Sequence, residues 1–574
     1  MASLSAIRHD TIPGTVHLVD LEGTMHAKHA SGQQHDVVLV PSPSSSPEDP
    51  LNWSPRRKLL STVCMCVYTL MVGIASAAIY SILEPISLAT GLSLGDLNDG
   101  TGYMFLFFGW GCLVWQPLAL QYGKRPVYLI SILATMAIMI WAPYTRSNGQ
   151  WIANKILQGF FGAPIESLCE ISVTDIYFTH ERGGYMALYG LFLVGSNYLA
   201  PILAGFINDG QGWKWVLYWC AIFCAIGFVF LFFFLEETNF DRHNIADEPE
   251  PESDPDSVSD TINSTADKDQ DQNHEVNATP ALSEKGEKAP IPSSRDPSDV
   301  EFGTTTLSSP AHQTFLQKMA LIKPSALHKS PRILLQMMVH PLVFLTLPVI
   351  SYAGFSYGSN LIWFNVLNGT ASLILGSPPY NFSSAMVGLS YVSALIGVAV
   401  AVLYTGPFGN RFILYLARRN GGIMEPEHRL WLFTPSLLLI PGGLILWGVG
   451  AAHGIAWPGV VIGMGIIAAT NTIGLQLSIS YALDSYKDLS GEVMITVILI
   501  RNTMSFAVGY GITPWVKNMG LQNAFLTAAG AGLAQCMTVW LMIKWGRKLR
   551  AGTGRRYWGY VEDVRRKGLA HPVS

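Results

Sequence analysis

The chain has 574 residues, 49% hydrophobic and only 13% charged, with 40 acidic against 36 basic side chains and a formal charge of −4. A soluble chain carries about a quarter charged residues, so this composition excludes an ordinary soluble multidomain protein. The positive mean hydropathy comes from long apolar runs, each near the roughly 20 residues that span a bilayer.

Residues 1–58 are polar, with scattered Asp, His, Ser and Pro, and are expected to form a disordered cytoplasmic tail without a cleavable signal. The first membrane helix then serves as the insertion signal. Six spans follow within residues 59–235: Leu59–Leu83, Thr101–Leu120, Pro126–Thr145, Ile152–Ile176, Gly183–Ile207 and Trp213–Leu235. Across 236–331 Asp, Glu, Ser, Pro, Asn and Thr dominate, and such a segment buries too little apolar surface to fold. Six more spans follow within 332–545: Pro341–Leu367, Ser383–Tyr404, Leu430–Ala451, Ala456–Ser480, Val493–Trp515 and Leu521–Trp545. Residues 546–574 form a basic tail suited to anionic lipid head groups. The expected class is an all-α membrane protein, twelve transmembrane helices in two six-helix bundles. Lys and Arg concentrate on one set of loops, among them Lys124, Arg125, Arg182, Arg411 and Arg429. That bias places both termini in the cytoplasm.

All seven cysteines lie in apolar runs at spacings that suit neither zinc nor a predicted disulfide. No Walker sequence, dinucleotide fingerprint or nucleophile elbow is present. Basic and aromatic residues do not interleave as in nucleic-acid readers. The expectation is a chain that is no enzyme, needs no cofactor or metal and binds no nucleic acid. Sequons outside the membrane in this topology are Asn368 and Asn381, the expected glycosylation sites.

The fourth span carries the most unusual chemistry. Lys155, Gly159, Gly162, Glu166 and Glu170 share one side of a helix. Carboxylates at membrane depth are retained where they face water, a partner or a ligand, so Glu166 and Glu170 are the candidate substrate and proton-coupling groups, with Lys155 beside them. Arg501, near the middle of the eleventh span, must also find a partner. Glu492 lies on the opposite side of that helix, so Asp484 or a neighbouring carbonyl is the expected mate, in a structural or gating role.

Leu118 to Val127 joins two helices through a Gly turn with two cations. It resembles the loop signature of the major facilitator superfamily: Leu118, Gly123, Lys124 and Arg125 match, whereas Gln116 and Leu120 stand where the signature has Gly and Asp. Lys155 to Gly159 resembles that superfamily's fourth-span Arg-x-x-Gln-Gly motif, with Lys for Arg. Ala187, Ser196, Ala200, Pro201, Ala204 and Gly205 resemble its fifth-span antiporter motif, with small residues in most Gly slots. Further stretches, such as Asp175 to Gly183 and Glu425 to Arg429, resemble fungal drug:proton antiporters and their organic-cation and polyamine-transporting relatives.

The resemblance implies two halves around a cavity lined by spans one, four, seven and ten. The expected lining is Tyr68, Tyr80, Tyr352, Phe355, Tyr357, Asn360, Trp363, Asn471 and Gln476. Asp175, Glu181 and Arg182 would pair with Lys124, Arg125 or the Arg411–Arg419 loop in an inner gate, and Pro201 and Gly205 would shape the fifth span. The implied function is proton-coupled export of a small cationic or amphipathic solute by a monomer in the plasma membrane. The alternatives are uptake of polyamines or other organic cations and, from another class, a non-transporting nutrient sensor.

Overall fold

Prolines and glycines punctuate the helices. The computed structural model describes residues 12–17, 44, 46, 48–240, 331–421 and 423–566, the side chains of 16, 17, 179–183, 187, 331 and 565 excepted. In the first half, α1 (Pro55–Ala77) starts with Pro at its first turn and tightens into a 3₁₀ segment, Ala78–Ser81. A short α2 (Leu83–Thr90) ends at Gly91 in the left-handed region. α3 (Leu94–Tyr122) is opened by a reciprocal capping box between Ser93 and Asp96. α4 (Lys124–Trp141), α5 (Asn148–Gly162), α6 (Pro164–Ile176), α7 (Thr179–Gln211) and α8 (Trp213–Phe234) complete that half.

The second half begins with α9 (Pro331–Val343) and α10 (Pro348–Gly376), bent by 91° at Leu347. Leu347 is extended, as expected of a residue before proline. The seventh span is therefore not the continuous Pro341–Leu367 stretch expected. It starts after the bend and runs on to Gly376. α11 (Ser384–Leu403) passes through a π turn at Tyr404–Phe408, where Pro407 lacks a donor, into α12 (Gly409–Arg419). A 3₁₀ segment (Pro426–Phe433), α13 (Ser436–Leu444), a second π turn (Ile445–Val449) and α14 (Gly450–Ala452) make the ninth crossing. α15 (Trp457–Ser485) and α16 (Ser490–Arg566) follow.

Among the described residues nine helical stretches are long and apolar enough to cross a bilayer, ten with the bent α9–α10 pair. Two expected spans escape that count for physical reasons. The fourth is divided between α5 and α6, of 15 and 13 residues. The eleventh and twelfth are two arms of α16, broken at Gly520 with φ 74°. The fold is all-α, as expected.

Two expectations about the tails change. Within the N-terminal tail, Val16–His17 pairs antiparallel with Ile423–Met424. At the other end α16 continues past Trp545 to Arg566, and Arg550 is fully buried. Its guanidinium donates to both carboxylate oxygens of Glu427, at 2.9 and 2.6 Å, and to the Pro13 carbonyl. A fully enclosed cation needs such a set of acceptors.

Candidate functional site

Where the two halves meet, a chamber of about 60 Å³ is enclosed by side chains of both. Tyr80, Phe105 and Tyr198 come from the first half, Tyr357, Phe364 and Asn471 from the second. Glu166 and Arg501 both line it, in contact with each other.

Glu166 owes its position to Pro164. A proline there has no N–H for the Phe160 carbonyl, and the indole of Trp115 donates to that oxygen instead, at 2.8 Å. Ser131 Oγ donates to the next carbonyl, Phe161, at 2.6 Å. The helix thus restarts at Pro164, and Glu166 sits in the first turn of α6, where a carboxylate interacts favourably with the helix dipole.

Arg501 forms an ion pair with Glu166 and donates to the Tyr357 hydroxyl. Its guanidinium carbon stands 4.7 Å from the Tyr357 ring centroid, and Nη2 donates to Asn502 Oδ1 at 3.2 Å. Arg501 is 4% exposed. The guanidinium demands a partner, as expected, but the partner is Glu166 of the other half and not Asp484. Asp484 accepts from Arg429 Nε at 2.5 Å. One turn beyond Glu166, Glu170 makes no ion pair among the described residues and opens onto a second cavity.

Lys155 is elsewhere. It is fully buried beneath Gly100 in the first half, its ammonium donating to Gln158 Oε1 at 2.8 Å and lying 4.8 Å from the Trp151 ring. The break at Ala163 separates it from Glu166.

Of the nine residues expected to line the cavity, Tyr80, Tyr357 and Asn471 do so. Tyr68 is buried within the first half, its hydroxyl 2.6 Å from Ser131 Oγ. Trp363 donates to Gln535 Oε1 at 2.8 Å. Asn360 donates to the Ser356 carbonyl at 2.7 Å and packs on Gly474. Gln476 accepts from Thr405, Tyr352 packs on Tyr481, and Phe355 is exposed. Spans one, four, seven and ten, implied by the resemblance, do contribute, but spans two, five and eleven line the chamber as well, through Phe105, Tyr198 and Arg501. Phe105 and Tyr198 lie on spans two and five, outside the four the resemblance implied, and Phe364 lies on the seventh span among its apolar residues.

The gate residues separate into local pairs. Lys124 Nζ is paired with Asp175, both within the first half. Arg125 donates to the Phe232 carbonyl at 2.8 Å. The backbone N–H groups of Lys124 and Arg125 both donate to the Glu237 carboxylate at 3.0 Å, which caps α4. Gly123, with φ 112°, leaves room for that carboxylate. The side chains of Glu181 and Arg182 lie outside the described residues. Pro201 and Gly205 pack against α11, the Pro201 carbonyl close to Gly388 and Gly205 close to the Ser384 carbonyl.

Asn368 is corrected. It is 1% exposed inside α10 and accepts from Tyr391 at 3.0 Å, so the seventh span's extension to Gly376 removes it from any glycosyl acceptor role. Asn381 is exposed in the following loop, with φ 51°.

Paired sets of membrane helices enclosing a small chamber, aromatic with a few charged and polar groups, are the architecture of secondary carriers. The chain belongs to the Major Facilitator Superfamily, whose family model matches residues 65–514. An uncharacterized MFS-type transporter of Schizosaccharomyces pombe is 27% identical over 557 residues, covering 96% of this chain and 95% of its own. Protein HOL1 of Saccharomyces cerevisiae is 25% identical over 576 residues, covering 96% and 97%. The MFS antiporter QDR3 of Candida albicans is 22% identical, covering 90% and 81%. Among solved structures, the partially occluded inward-open xylose transporter XylE from E. coli aligns with a TM-score of 0.53 at 11% identity, covering 85% of this chain and 98% of its own, a likeness of fold. The protein is a multi-pass membrane transporter of a small-molecule substrate, not an enzyme.

Proposed function

We propose that the chain exchanges a small cationic or amphipathic organic solute for protons by alternating access, exporting it across the plasma membrane. Both termini lie in the cytoplasm and the monomer is the working unit. The carrying observation is the Glu166–Arg501–Tyr357 cluster, which ties the two halves together inside an aromatic chamber. Protonation of Glu166 cancels its charge, which frees Arg501 and weakens the tie between halves. Glu170, one turn away, holds negative charge for a cation, and the tyrosine and phenylalanine faces favour cations by about 0.5–2 kcal/mol each. The resemblance to QDR3, named an antiporter, supports exchange over symport.

The test is labelled-cation flux in proteoliposomes under an imposed pH gradient. Exchange should follow the gradient in the wild type and be lost in Glu170→Gln, with reconstitution unchanged. Flux indifferent to the gradient would remove the coupling. Accumulation with the proton flow, instead of against it, would replace export by uptake.

A further inference from the structure

From Glu170 toward the Lys124 end, a second cavity of about 90 Å³ lies between the halves. α6 supplies Glu170, the first turn of α16 supplies Glu492, and the turn before it supplies Asp488. Asp488 is engaged, accepting from the Tyr557 hydroxyl at 3.0 Å. Glu170 and Glu492 form no ion pair among the described residues. No Lys, Arg or His is among the described residues that line this cavity.

A second observation points to a ligand. Gln116 lines the same cavity, is 5% exposed, and its Oε1 is buried without a hydrogen-bond donor. A buried acceptor left unpaired costs about 1–3 kcal/mol, and two carboxylates in a cavity whose described lining holds no cation cost more. One kind of occupant satisfies all three: a cation carrying N–H donors. Leu120 and Met494 give the remaining wall an apolar surface for an alkyl chain.

We propose that this cavity is a second binding station for a protonated amine, separate from the central chamber. The N–H groups of a primary or secondary ammonium bond Gln116 Oε1 and the carboxylates of Glu170 and Glu492. The station rests on the reading of the chain as an organic-cation carrier, and adds which ammonium it accepts. A quaternary ammonium brings charge but no donor, and leaves Gln116 Oε1 unpaired. A site built to hydrogen-bond its ligand discriminates against an analogue that lacks the group.

The experiment is isothermal titration of the purified full chain in nanodiscs with n-butylammonium and n-butyltrimethylammonium. The wild type should bind n-butylammonium more tightly. Glu492→Gln and Gln116→Leu should each weaken that ligand by about tenfold, the value of a charge-assisted hydrogen bond; Gln116→Leu should move the trimethyl analogue by no more than about twofold, whereas Glu492→Gln, which removes a charge, weakens both cations. Equal affinities in the wild type, or unchanged n-butylammonium affinity in both variants, would overturn the station while leaving cation transport standing. A wild type that binds neither ligand would overturn the station, and the labelled-cation flux decides the carrier reading separately. Should Glu492→Gln fail to fold, as read by thermal melting, Gln116→Leu decides alone.

Discussion

Arg501 stands where no solvent helps it, and each contact it makes belongs to a different structural task. Glu166 joins it to the other half, Tyr357 braces it from α10, and Asn502 orients it from its own helix. Removing one member of a buried ion pair leaves the other charge unpaired, at about 3–5 kcal/mol. Arg501→Ala should therefore lower the thermal midpoint sharply in detergent. The charge-neutral double variant Glu166→Gln with Arg501→Met should recover most of that loss and still fail to transport. A double variant no more stable than Arg501→Ala alone would show the pair to be incidental. The sequence announced the need for a partner, since a lone guanidinium in an apolar run is conspicuous. It did not announce which partner, because Glu166 and Asp484 are equally plausible acids until the halves are docked. Asp484 was in fact already claimed by Arg429.

Elements are set here by residues that withhold or block a hydrogen bond. The fourth span reads as one continuous apolar run, and its division at Ala163 depends on a proline whose consequence is repaired from α3 by Trp115. Trp115→Phe takes away that donor and should cost about 1–3 kcal/mol by leaving the Phe160 carbonyl unsatisfied. In a Pro164→Ala background the restored N–H takes over, so the same change should cost much less. Equal losses in the two backgrounds, by chemical or thermal unfolding, would refute the repair. Gly123 illustrates the complementary case. Its φ of 112° and the added Cβ's approach to 2.6 Å from Glu237 Oε2 both oppose a side chain. Gly123→Ala should cost about 1–3 kcal/mol and loosen the cap on α4, visible as faster amide exchange at Lys124 and Arg125. Helix existence was legible from hydropathy. Boundaries were not, and the seventh span drawn only to Leu367 is why Asn368 was expected in a loop.

On the scale of the molecule, the halves are closed unevenly. Near Glu84 the fifth and eighth spans touch backbone to backbone: an added Cβ on Gly205 would lie 2.3 Å from the Ser384 carbonyl, and one on Gly388 would lie 2.4 Å from the Pro201 carbonyl. Ser81 donates to that same Pro201 oxygen at 2.9 Å, and Asn208 donates to Ser384 Oγ at 3.0 Å. Toward the Lys124 end of α7, Gly184, Gly190 and Gly195 meet nothing within 4 Å. Pro201 and Gly205 of the fifth-span motif therefore act as a seal, a purpose the sequence could place in the helix but not aim at α11. Small faces give close packing where lipid offers no hydrophobic drive, so a single methyl group there opposes closure without touching the chamber. Gly388→Ala and Gly205→Ala should shift the population toward a state open at the Glu84 end. Asn197→Cys reports this, because residue 197 lines the chamber and the seven native cysteines are buried. A membrane-impermeant maleimide applied to the Glu84 face should label Cys at 197 several-fold faster in either glycine variant than in its parent. Labelling at the parental rate, with melting unchanged, would mean that the closure of this end does not depend on the α7–α11 contact.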